Sequence, residues 1–238
     1  RGHKVTLAEK SGGLGGNLHP AGAAKFKEDI RKLCEVLKNR VARADIQVVL
    51  NTEVTPEYVR RFAPDVLFVA IGSKELCPPI PGIELPHVIM AVDAELHPEK
   101  LGKKVAVMGG GLVGSEAAVS FHQKGHEVSI IEMKPEVALE VNSFYRGGLM
   151  PEIEKAAKCY TSAKVLEILP EGVKVEKEGR EFVIEADSVV CALGFRAPYA
   201  EVDALCDEAD ESYIVGDCRN VAQIYHAVNQ AYYAAMNV

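Results

Sequence analysis

The fold follows from the stretch Val105-Ala-Val-Met-Gly-Gly-Gly-Leu-Val-Gly-Ser-Glu-Ala-Ala118. Its apolar beginning is typical of a buried strand, and its alanine-rich end favours a helix. Between them, Gly109 permits a tight turn, Gly111 lets a pyrophosphate approach the backbone, and Gly114 lets the helix pack close to the strand. The N–H groups and positive dipole end of that helix would face the diphosphate. The stretch predicts a dinucleotide-binding unit; the alternative is a glycine-rich turn that binds nothing.

An acidic residue at the expected distance strengthens this prediction. Glu132 ends the next apolar run, Val128-Ser-Ile-Ile131, about 20 residues after the glycines. A carboxylate at this position can accept hydrogen bonds from an adenosine ribose and would repel a 2′-phosphate, which predicts NADH over NADPH. NADPH remains open as an alternative, because Lys134 is close enough in sequence to reach such a phosphate.

Two segments of the chain recur at nearly the same offset. Arg1-Gly-His-Lys-Val-Thr-Leu-Ala-Glu9 matches Lys124-Gly-His-Glu-Val-Ser-Ile-Ile-Glu132 at an offset of 123. Asp65-Val-Leu-Phe-Val-Ala-Ile-Gly72 matches Asp187-Ser-Val-Val-Cys-Ala-Leu-Gly194 at an offset of 122. The repeat predicts two dinucleotide-binding domains in tandem. Because a strand, a GxGxxG turn and a helix precede the second copy only, we expect the first copy to lack roughly 25 residues and the chain to be a fragment.

The last part of the chain has no counterpart in the second copy. Ser212-Tyr-Ile-Val-Gly-Asp217 is predicted to be a strand, followed by a helix over about residues 221–236. We therefore expect the chain to return and complete the first domain. The predicted fold class is α/β, with two Rossmann-like three-layer dinucleotide-binding domains, the second inserted into the first.

Periodicity places the other elements. A helix is predicted over about 23–44, with one apolar face formed by Phe26, Ile30, Leu33, Leu37 and Val41. Strands are predicted at 46–50, 66–69 and 189–192, the second of them buried throughout because it is entirely apolar. A helix is predicted around 149–157, and an antiparallel meander over 165–168, 173–176 and 182–184.

Composition excludes several kinds of partner. The 238 residues are 48% hydrophobic and 26% charged, and their net charge of −7 argues against nucleic acid or an anionic membrane bound through charge. No run has the length of a membrane helix, and no signal peptide is recognisable. The six cysteines show neither a C-x-x-C pair nor metal-ligand spacing. They predict buried free thiols, no metal site and a cytoplasmic location.

Several short motifs together resemble a known family of flavoproteins. The GxGxxG stretch, Glu9, Gly15-Gly16, Ala70-Ile-Gly72, Ala192-Leu-Gly194 and Gly216-Asp217 are similar to the motifs of flavoproteins with two dinucleotide-binding domains. Leu14-Gly-Gly-Asn-Leu18 and Pro64-Asp-Val-Leu-Phe-Val-Ala-Ile-Gly-Ser73 most resemble the C-terminal part of the NADH:flavin oxidoreductase group. That group includes 2,4-dienoyl-CoA reductase, enoate reductases, bile-acid-inducible reductases and trimethylamine dehydrogenase. The resemblance covers essentially the whole chain.

The resemblance implies an oxidoreductase that uses several cofactors. NADH, or NADPH, would bind the domain predicted at 101–204, and FAD the domain predicted at 1–100 plus 205–238. Hydride would pass to FAD, and electrons would continue through a 4Fe-4S cluster to FMN in an N-terminal barrel that reduces an activated C=C bond. That barrel, the expected intramolecular partner, is missing here, as is the first GxGxxG. The fragment is therefore expected to bind FAD weakly or not at all and to be inactive alone.

The resemblance also implies which residues bind each cofactor. For NAD(P)H they are Gly109, Gly111, Val113, Gly114, Glu116, Glu132 and Gly194. For FAD they are Glu9, Lys10, Gly16, Asn17, Val54, Ala70, Gly72, Gly216 and Asp217. Each has an ordinary alternative as a turn, core, surface or helix-capping residue. No catalytic side chain is assigned, because hydride transfer between two bound cofactors depends on orientation more than on acid–base help.

Two other functions stay open, and one branch of the superfamily is excluded. The chain could be a nucleotide-binding module that holds ADP or FAD without turnover, or another flavoprotein of the superfamily, such as an electron-transfer subunit. Disulfide reductases would need a redox pair of cysteines, but Asn17-Leu-His-Pro20 follows the first glycine-rich loop.

Overall fold

The computed structural model describes residues 2–238; Arg1, which opens the first repeat segment, lies outside the described residues. These residues form two compact units. Unit 1 comprises residues 2–19, Asp29–Lys74 and Phe195–Val238, and unit 2 comprises Pro20–Glu28 and Glu75–Gly194. The predicted α/β class, with a second dinucleotide-type unit inserted into the first, is confirmed.

The secondary structure alternates strands and helices. The strands are β1 Val5–Ala8, β2 Ile46–Val49, β3 Leu67–Val69, β4 Lys74–Glu75, β5 Val88–Met90, β6 Lys104–Met108, β7 Glu127–Ile131, β8 Ala157–Tyr160, β9 Lys164–Leu169, β10 Gly172–Lys177, β11 Arg180–Glu185, β12 Ser188–Cys191, β13 Phe195–Arg196 and β14 Ser212–Ile214. The helices are α1 Leu18–Ala21, α2 Glu28–Arg43, α3 Pro56–Phe62, α4 Ala91–Leu96, α5 Leu112–Gln123, α6 Ser143–Ala156, α7 Tyr199–Cys206 and α8 Ile224–Met236. Three 3₁₀ turns cover Lys25–Lys27, Pro98–Lys100 and Gly216–Cys218.

Unit 2 is built on a parallel sheet of five strands in the order β5-β12-β6-β7-β8. The central strand β6 is buried on both faces, and Val105 to Met108 are at most 1% exposed. This explains why the sequence of β6 is apolar without interruption. In a strand with one exposed face, polar and apolar residues would alternate. Helices α5 and α6 contribute Phe121 and Ile153 to the core. Strands β9, β10 and β11 form the predicted antiparallel meander.

Unit 1 contains two separate pairs of parallel strands, β1 with β2 and β14 with β3. The pairing of Ile214 with Val69 shows that the end of the chain returns to this unit, as predicted. A smaller core surrounds Val59, Val69, Val202 and Leu205. Within residues 2–238, no strand is hydrogen-bonded between β1 and β3.

This difference in pairing explains why the first copy of the repeat is more exposed than the second. Val5 and Leu7 are 45% and 36% exposed, whereas their counterparts Val128 and Ile130 are 6% and 0% exposed. In unit 2, β6 lies between the corresponding strands and α5 packs against them. The prediction that the strand at 66–69 is buried throughout was wrong for Phe68, which is 38% exposed.

Some helix limits also differ from the sequence-based ones. The helix predicted over 23–44 is a 3₁₀ turn followed by α2, and of its predicted apolar face Phe26 is exposed while the other members are half-buried. Helix α6 begins at Ser143, earlier than predicted, because the Asn142 side chain accepts a hydrogen bond from the Tyr145 N–H at 2.9 Å. Among the helices of residues 2–238, none combines the length and the apolar character needed to cross a bilayer.

Candidate functional site

Three glycines in the glycine-rich turn of unit 2 have different surroundings. Gly109 has a φ of +100°, and its N–H donates to the Ile131 carbonyl at 2.9 Å. A Cβ on Gly114 would overlap the Gly109 carbonyl oxygen, so the close approach of α5 to β6 requires glycine there. In contrast, a Cβ on Gly111 would meet no atom within 4 Å. Open space therefore lies in front of Gly111, which is also the N-cap residue of α5. The N–H groups at such a helix N-terminus favour an anion.

Glu132 lies beside this turn with both carboxylate oxygens held by backbone groups. Its Oε2 accepts from the Gly110 N–H at 2.6 Å, and its Oε1 accepts from the Lys134 N–H at 2.8 Å. Glu132 follows β7 and Gly109 follows β6, so both stand at the carboxyl ends of neighbouring parallel strands. That edge is where dinucleotides bind in sheets of this type. The fixed carboxylate keeps lone pairs available for ribose hydroxyls.

The carboxyl end of β12 lies on the other side of β6. A Cβ on Gly109 would overlap the Ala192 carbonyl oxygen, so this segment is in contact with the turn. Gly194 has a φ of +100° and accepts from the Leu76 N–H at 2.9 Å. Val113 is 39% exposed on the first turn of α5. Gly109, Gly114, Glu132 and the segment 192–194 are thus brought together at one edge of the sheet.

Glu116 has partners that the sequence did not reveal. Its Oε1 accepts hydrogen bonds from the Lys27 ammonium and, at 2.6 Å, from the Tyr145 hydroxyl. The Lys27 ammonium also lies 5.0 Å from the centre of the Tyr145 ring. Burial acts to lower the pKa of Lys27, but hydrogen bonds to Glu116 and Tyr145 outweigh it, and the pKa is raised. The lysine stays charged and neutralises a half-buried carboxylate one turn into α5.

Unit 1 repeats most of the hydrogen bonds around Glu132 at the corresponding acidic residue, Glu9. The Glu9 N–H donates to Val49, as Glu132 does to Tyr160, and Glu9 Oε1 accepts from the N–H two residues on, as Glu132 Oε1 does. The Asn51 N–H donates to Ser11 at 2.9 Å, and the Ser162 N–H donates to Lys134 at the same distance. Asn51 and Ser162 share a left-handed backbone, with φ of 53° and 51°. The repeat therefore extends to the backbone geometry around both acidic residues.

A second cluster in unit 1 surrounds Asp217. Its Oδ2 accepts from the Ser73 hydroxyl at 3.3 Å, and its Oδ1 accepts from the Ala222 N–H at 3.2 Å. Gly216 has a φ of +75°, and its N–H donates to Gln230 Oε1 at 2.8 Å. Asp217 therefore links the segment between β3 and β4 with the segment that leads into α8; the N-cap residue of α8 is Gln223, so Asp217 is not its cap.

The remaining residues assigned to FAD occupy varied positions. Lys10, Gly16, Asn17 and Ala70 are exposed, Gly72 is half-buried with a φ of +73°, and Val54 packs against the small core. In the loop before α1, Gly15 is the tightly packed glycine, because a Cβ there would collide with His19 and Cys34. The structure does not gather these residues into one cavity.

The cysteines show no redox pair, and residues 2–238 show no metal site. All six are free; Cys34, Cys191 and Cys218 are buried, as predicted, whereas Cys77 and Cys159 are exposed, unlike the prediction. Burial raises the pKa of the Cys191 thiol to about 11, so it is protonated at neutral pH. Among residues 2–238, no group of three His, Cys, Asp or Glu side chains is placed to bind a metal ion.

Comparison with known proteins agrees with this geometry. The family described as pyridine nucleotide-disulphide oxidoreductase matches residues 3–231. The chain is 34% identical to a bilirubin reductase of Mediterraneibacter gnavus, over 99% of this chain and 37% of the relative. It is 32% identical to an NADH oxidase of Thermoanaerobacter brockii, over 100% of this chain and 38% of the relative.

A solved structure shows the same fold. A 2-naphthoyl-CoA reductase superposes with a TM-score of 0.92 and 32% identity, over 98% of this chain and 36% of that one. The chain thus spans a little over a third of the length of each of these proteins, and the resemblance to this group of reductases is confirmed. By its glycine-rich turn, its repeated acidic corner and its match over nearly all residues, the chain belongs to the pyridine nucleotide-disulphide oxidoreductase family.

Proposed function

We propose that unit 2 binds NADH and delivers reducing equivalents to FAD bound by unit 1. The observation that carries this proposal is the open space in front of Gly111, bordered by the N-terminus of α5 and by a Glu132 carboxylate fixed on two N–H groups. The other NAD-assigned residues, Val113, Glu116 and Gly194, belong to this proposal. The name of the T. brockii relative, an NADH oxidase, supports it.

The residues of unit 2 fit the pyrophosphate and the adenosine half of a dinucleotide. Backbone N–H groups at the start of α5 would bind the pyrophosphate, and Glu132 would accept from the adenosine ribose. Lys27 removes the electrostatic penalty that Glu116 would impose on a nearby anion. When bound, NADH would supply a hydride, and the residues of unit 2 would hold and orient the dinucleotide.

The FAD assignment is supported by unit 1 in part. The Glu9 corner has the backbone geometry of the Glu132 corner, which fits an adenosine ribose, and Asp217 with Gly216 fits a polyol hydroxyl. The described residues of unit 1 contain no GxGxxG turn that could bind the pyrophosphate. We propose that a strand, a glycine-rich turn and a helix outside this sequence complete the site between β1 and β3, and that FAD binds weakly without them.

The further path of the electrons is proposed from the family resemblance. The chain covers 36% to 38% of the relatives compared, so the rest of such a polypeptide has room for a barrel with FMN and a 4Fe-4S cluster. That barrel would be the intramolecular partner and would reduce an activated C=C bond. The domain limits 1–100 plus 205–238 and 101–204, and a cytoplasmic location suited to six free thiols, are part of the same proposal.

A cofactor assay on the full-length protein tests this proposal. We expect a flavin absorbance band after purification, and oxidation of NADH by an artificial acceptor. Changing Glu9 to Ala should lower the FAD content, whereas changing Glu132 to Ala should raise the KM for NADH and leave the flavin in place. A protein without flavin that leaves NADH unoxidised would contradict the proposal and indicate a nucleotide-binding module without turnover.

A further inference from the structure

The loop that follows Glu132, residues 133–141, is attached directly to the glycine-rich turn. The Ala138 N–H donates to the Gly110 carbonyl at 2.7 Å, and Val137 is buried against Gly110. At its other end, the Lys134 carbonyl accepts from the Ser162 N–H at 2.9 Å. The loop is therefore a fixed wall at the adenosine end of the proposed dinucleotide site.

Both cations within residues 132–146 are paired with carboxylates of this loop. The Lys134 ammonium forms an ion pair with Glu140, and the Arg146 guanidinium forms one with Glu136. Arg146 also donates from Nε to the Ala138 carbonyl at 3.1 Å, which holds it against the loop backbone. The hydrogen bond to Glu140 raises the pKa of Lys134, so this lysine stays charged at neutral pH.

Glu132 differs from the other two carboxylates of this region. It is held by the N–H groups of Gly110 and Lys134, which carry no net charge, and the Lys134 side chain turns to Glu140 instead. The Lys134 ammonium thus forms its ion pair with Glu140 and acts on Glu132 through charge alone. A 2′-phosphate at this position would meet the fixed negative charge of Glu132, and the Lys134 ammonium would be occupied by Glu140.

We propose that Glu140 is a specificity-determining residue that favours NADH over NADPH by holding Lys134 away from the 2′-phosphate position. This rests on the proposed function of unit 2. Because Glu140 is 80% exposed, the pair is weak and the effect is modest. An exposed ion pair changes an equilibrium by up to about fivefold, so freeing Lys134 should tighten binding of a 2′-phosphorylated ligand by about two- to fivefold.

Two ligands that differ by one phosphate isolate this effect. Affinities of the full-length protein for ADP-ribose and for 2′-phospho-ADP-ribose are measured by isothermal titration calorimetry, which needs no turnover. In Glu140→Gln we expect the phosphorylated ligand to bind about two- to fivefold more tightly, with ADP-ribose changed by less than about 1.5-fold. The matched control is Glu152→Gln, which breaks the exposed Lys155–Glu152 pair of α6 and should change neither affinity.

A second variant shows whether Lys134 carries the effect. Lys134→Ala alone should alter either affinity by less than about twofold, since its charge is already engaged, but it should abolish the gain in the Glu140→Gln background. An unchanged ratio of the two affinities in Glu140→Gln would overturn the proposal. A tenfold loss of the phosphorylated ligand in Lys134→Ala alone would also overturn it, because Lys134 would then already bind the phosphate. If neither ligand binds the wild-type protein, the proposed function fails and this proposal fails with it.

Discussion

At the scale of single residues, two glycines three positions apart have opposite surroundings. Gly114 is buried under the Gly109 carbonyl, whereas Gly111 faces open space with a φ of −69°, which any residue adopts. The packing of the protein requires glycine at position 114. Packing does not require glycine at position 111, so the lack of a side chain there points to a bound group.

Alanine at each position separates these two needs. We expect Gly114→Ala to lower the free energy of unfolding by about 1–3 kcal/mol, because α5 must move away from β6. Gly111→Ala should change stability by less than about 0.5 kcal/mol but weaken NADH binding at least about tenfold, since its Cβ would occupy the pyrophosphate position. Urea unfolding and calorimetric titration measure both. Tight NADH binding by Gly111→Ala would contradict the proposed site.

Sequence predicted some of these residues and missed others for a physical reason. Gly109, Gly111, Gly114 and Glu132 act through local backbone geometry, which a short motif encodes. The partners of Glu116 do not: Lys27 lies 89 positions away and Tyr145 lies 29 positions away. Their meeting depends on tertiary packing, which has no periodic signal in one sequence.

At the scale of elements, the half-buried carboxylate of Glu95 joins α4 to α5. Glu95 accepts from the Ser120 hydroxyl at 3.0 Å, and its Oε2 lies 3.5 Å from the Lys124 ammonium. Burial raises the pKa of Glu95 despite the nearby lysine. The folded protein therefore binds this proton more tightly than the unfolded chain does.

The stability of the α4–α5 contact should depend on pH in a defined direction. Below the unfolded pKa, near 4.5, Glu95 is protonated in both the folded and the unfolded protein, so its burial costs little. As the pH rises through the raised folded pKa, the carboxylate becomes charged in both states and the protein loses the stability that the tighter proton binding contributed. Glutamine mimics the protonated form. In urea unfolding, the free energy of unfolding of Glu95→Gln should therefore rise relative to the wild-type value between about pH 4.5 and about pH 7.5.

The opposite sign is expected at an exposed carboxylate. The hydrogen bond from Lys104 lowers the pKa of Glu185, so its contribution is present above the unfolded pKa and lost as pH falls. The free energy of unfolding of Glu185→Gln should therefore fall relative to the wild-type value as the pH rises from below the lowered folded pKa to above 4.5, which is a lower window than that of Glu95. If the free energies of unfolding of the two variants changed with pH in the same direction relative to the wild type, the burial of Glu95 would not be the cause of its pH dependence.

The sequence predicted the positions of the strands better than it predicted how deeply they are buried. The alternating apolar pattern identified β9, β10 and β11 and their antiparallel pairing. The entirely apolar sequence at 66–69 was interpreted as a strand of a buried parallel sheet, yet Phe68 is 38% exposed. Burial depends on which strand lies alongside, and for β1 and β3 the described residues supply none on the facing edges.

At the scale of the whole molecule, the two units have cores of unequal size. Unit 2 contains two large clusters of buried side chains, around Phe121 and around Met108, whereas the main cluster of unit 1 has Val59, Val69, Val202, Leu205 and Cys218. Hydrophobic stabilisation grows with the apolar area removed from water. Unit 1 should therefore be the less stable of the two.

Unfolding should accordingly proceed in two steps. Under increasing urea, hydrogen exchange is expected to expose β1, β2 and α8 first, and β6 and β7 only in a second transition. ADP-ribose at a hundred times its Kd should stabilise the second transition by about 2.7 kcal/mol and leave the first unchanged. A single transition that includes all these segments would contradict this prediction.

The points at which the chain enters and leaves the inserted unit are hydrogen-bonded to each other: the Leu76 N–H donates to the Gly194 carbonyl at 2.9 Å. A segment whose two ends already meet imposes almost no spacing on whatever protein carries it. We therefore expect residues 75–194 to replace a loop of a host protein with little strain at the two junctions, provided that the Pro20–Glu28 segment, whose Lys27 neutralises Glu116, is supplied with them. The adjacency of the two ends shows how this segment lies within unit 1 as an insertion between Lys74 and Phe195.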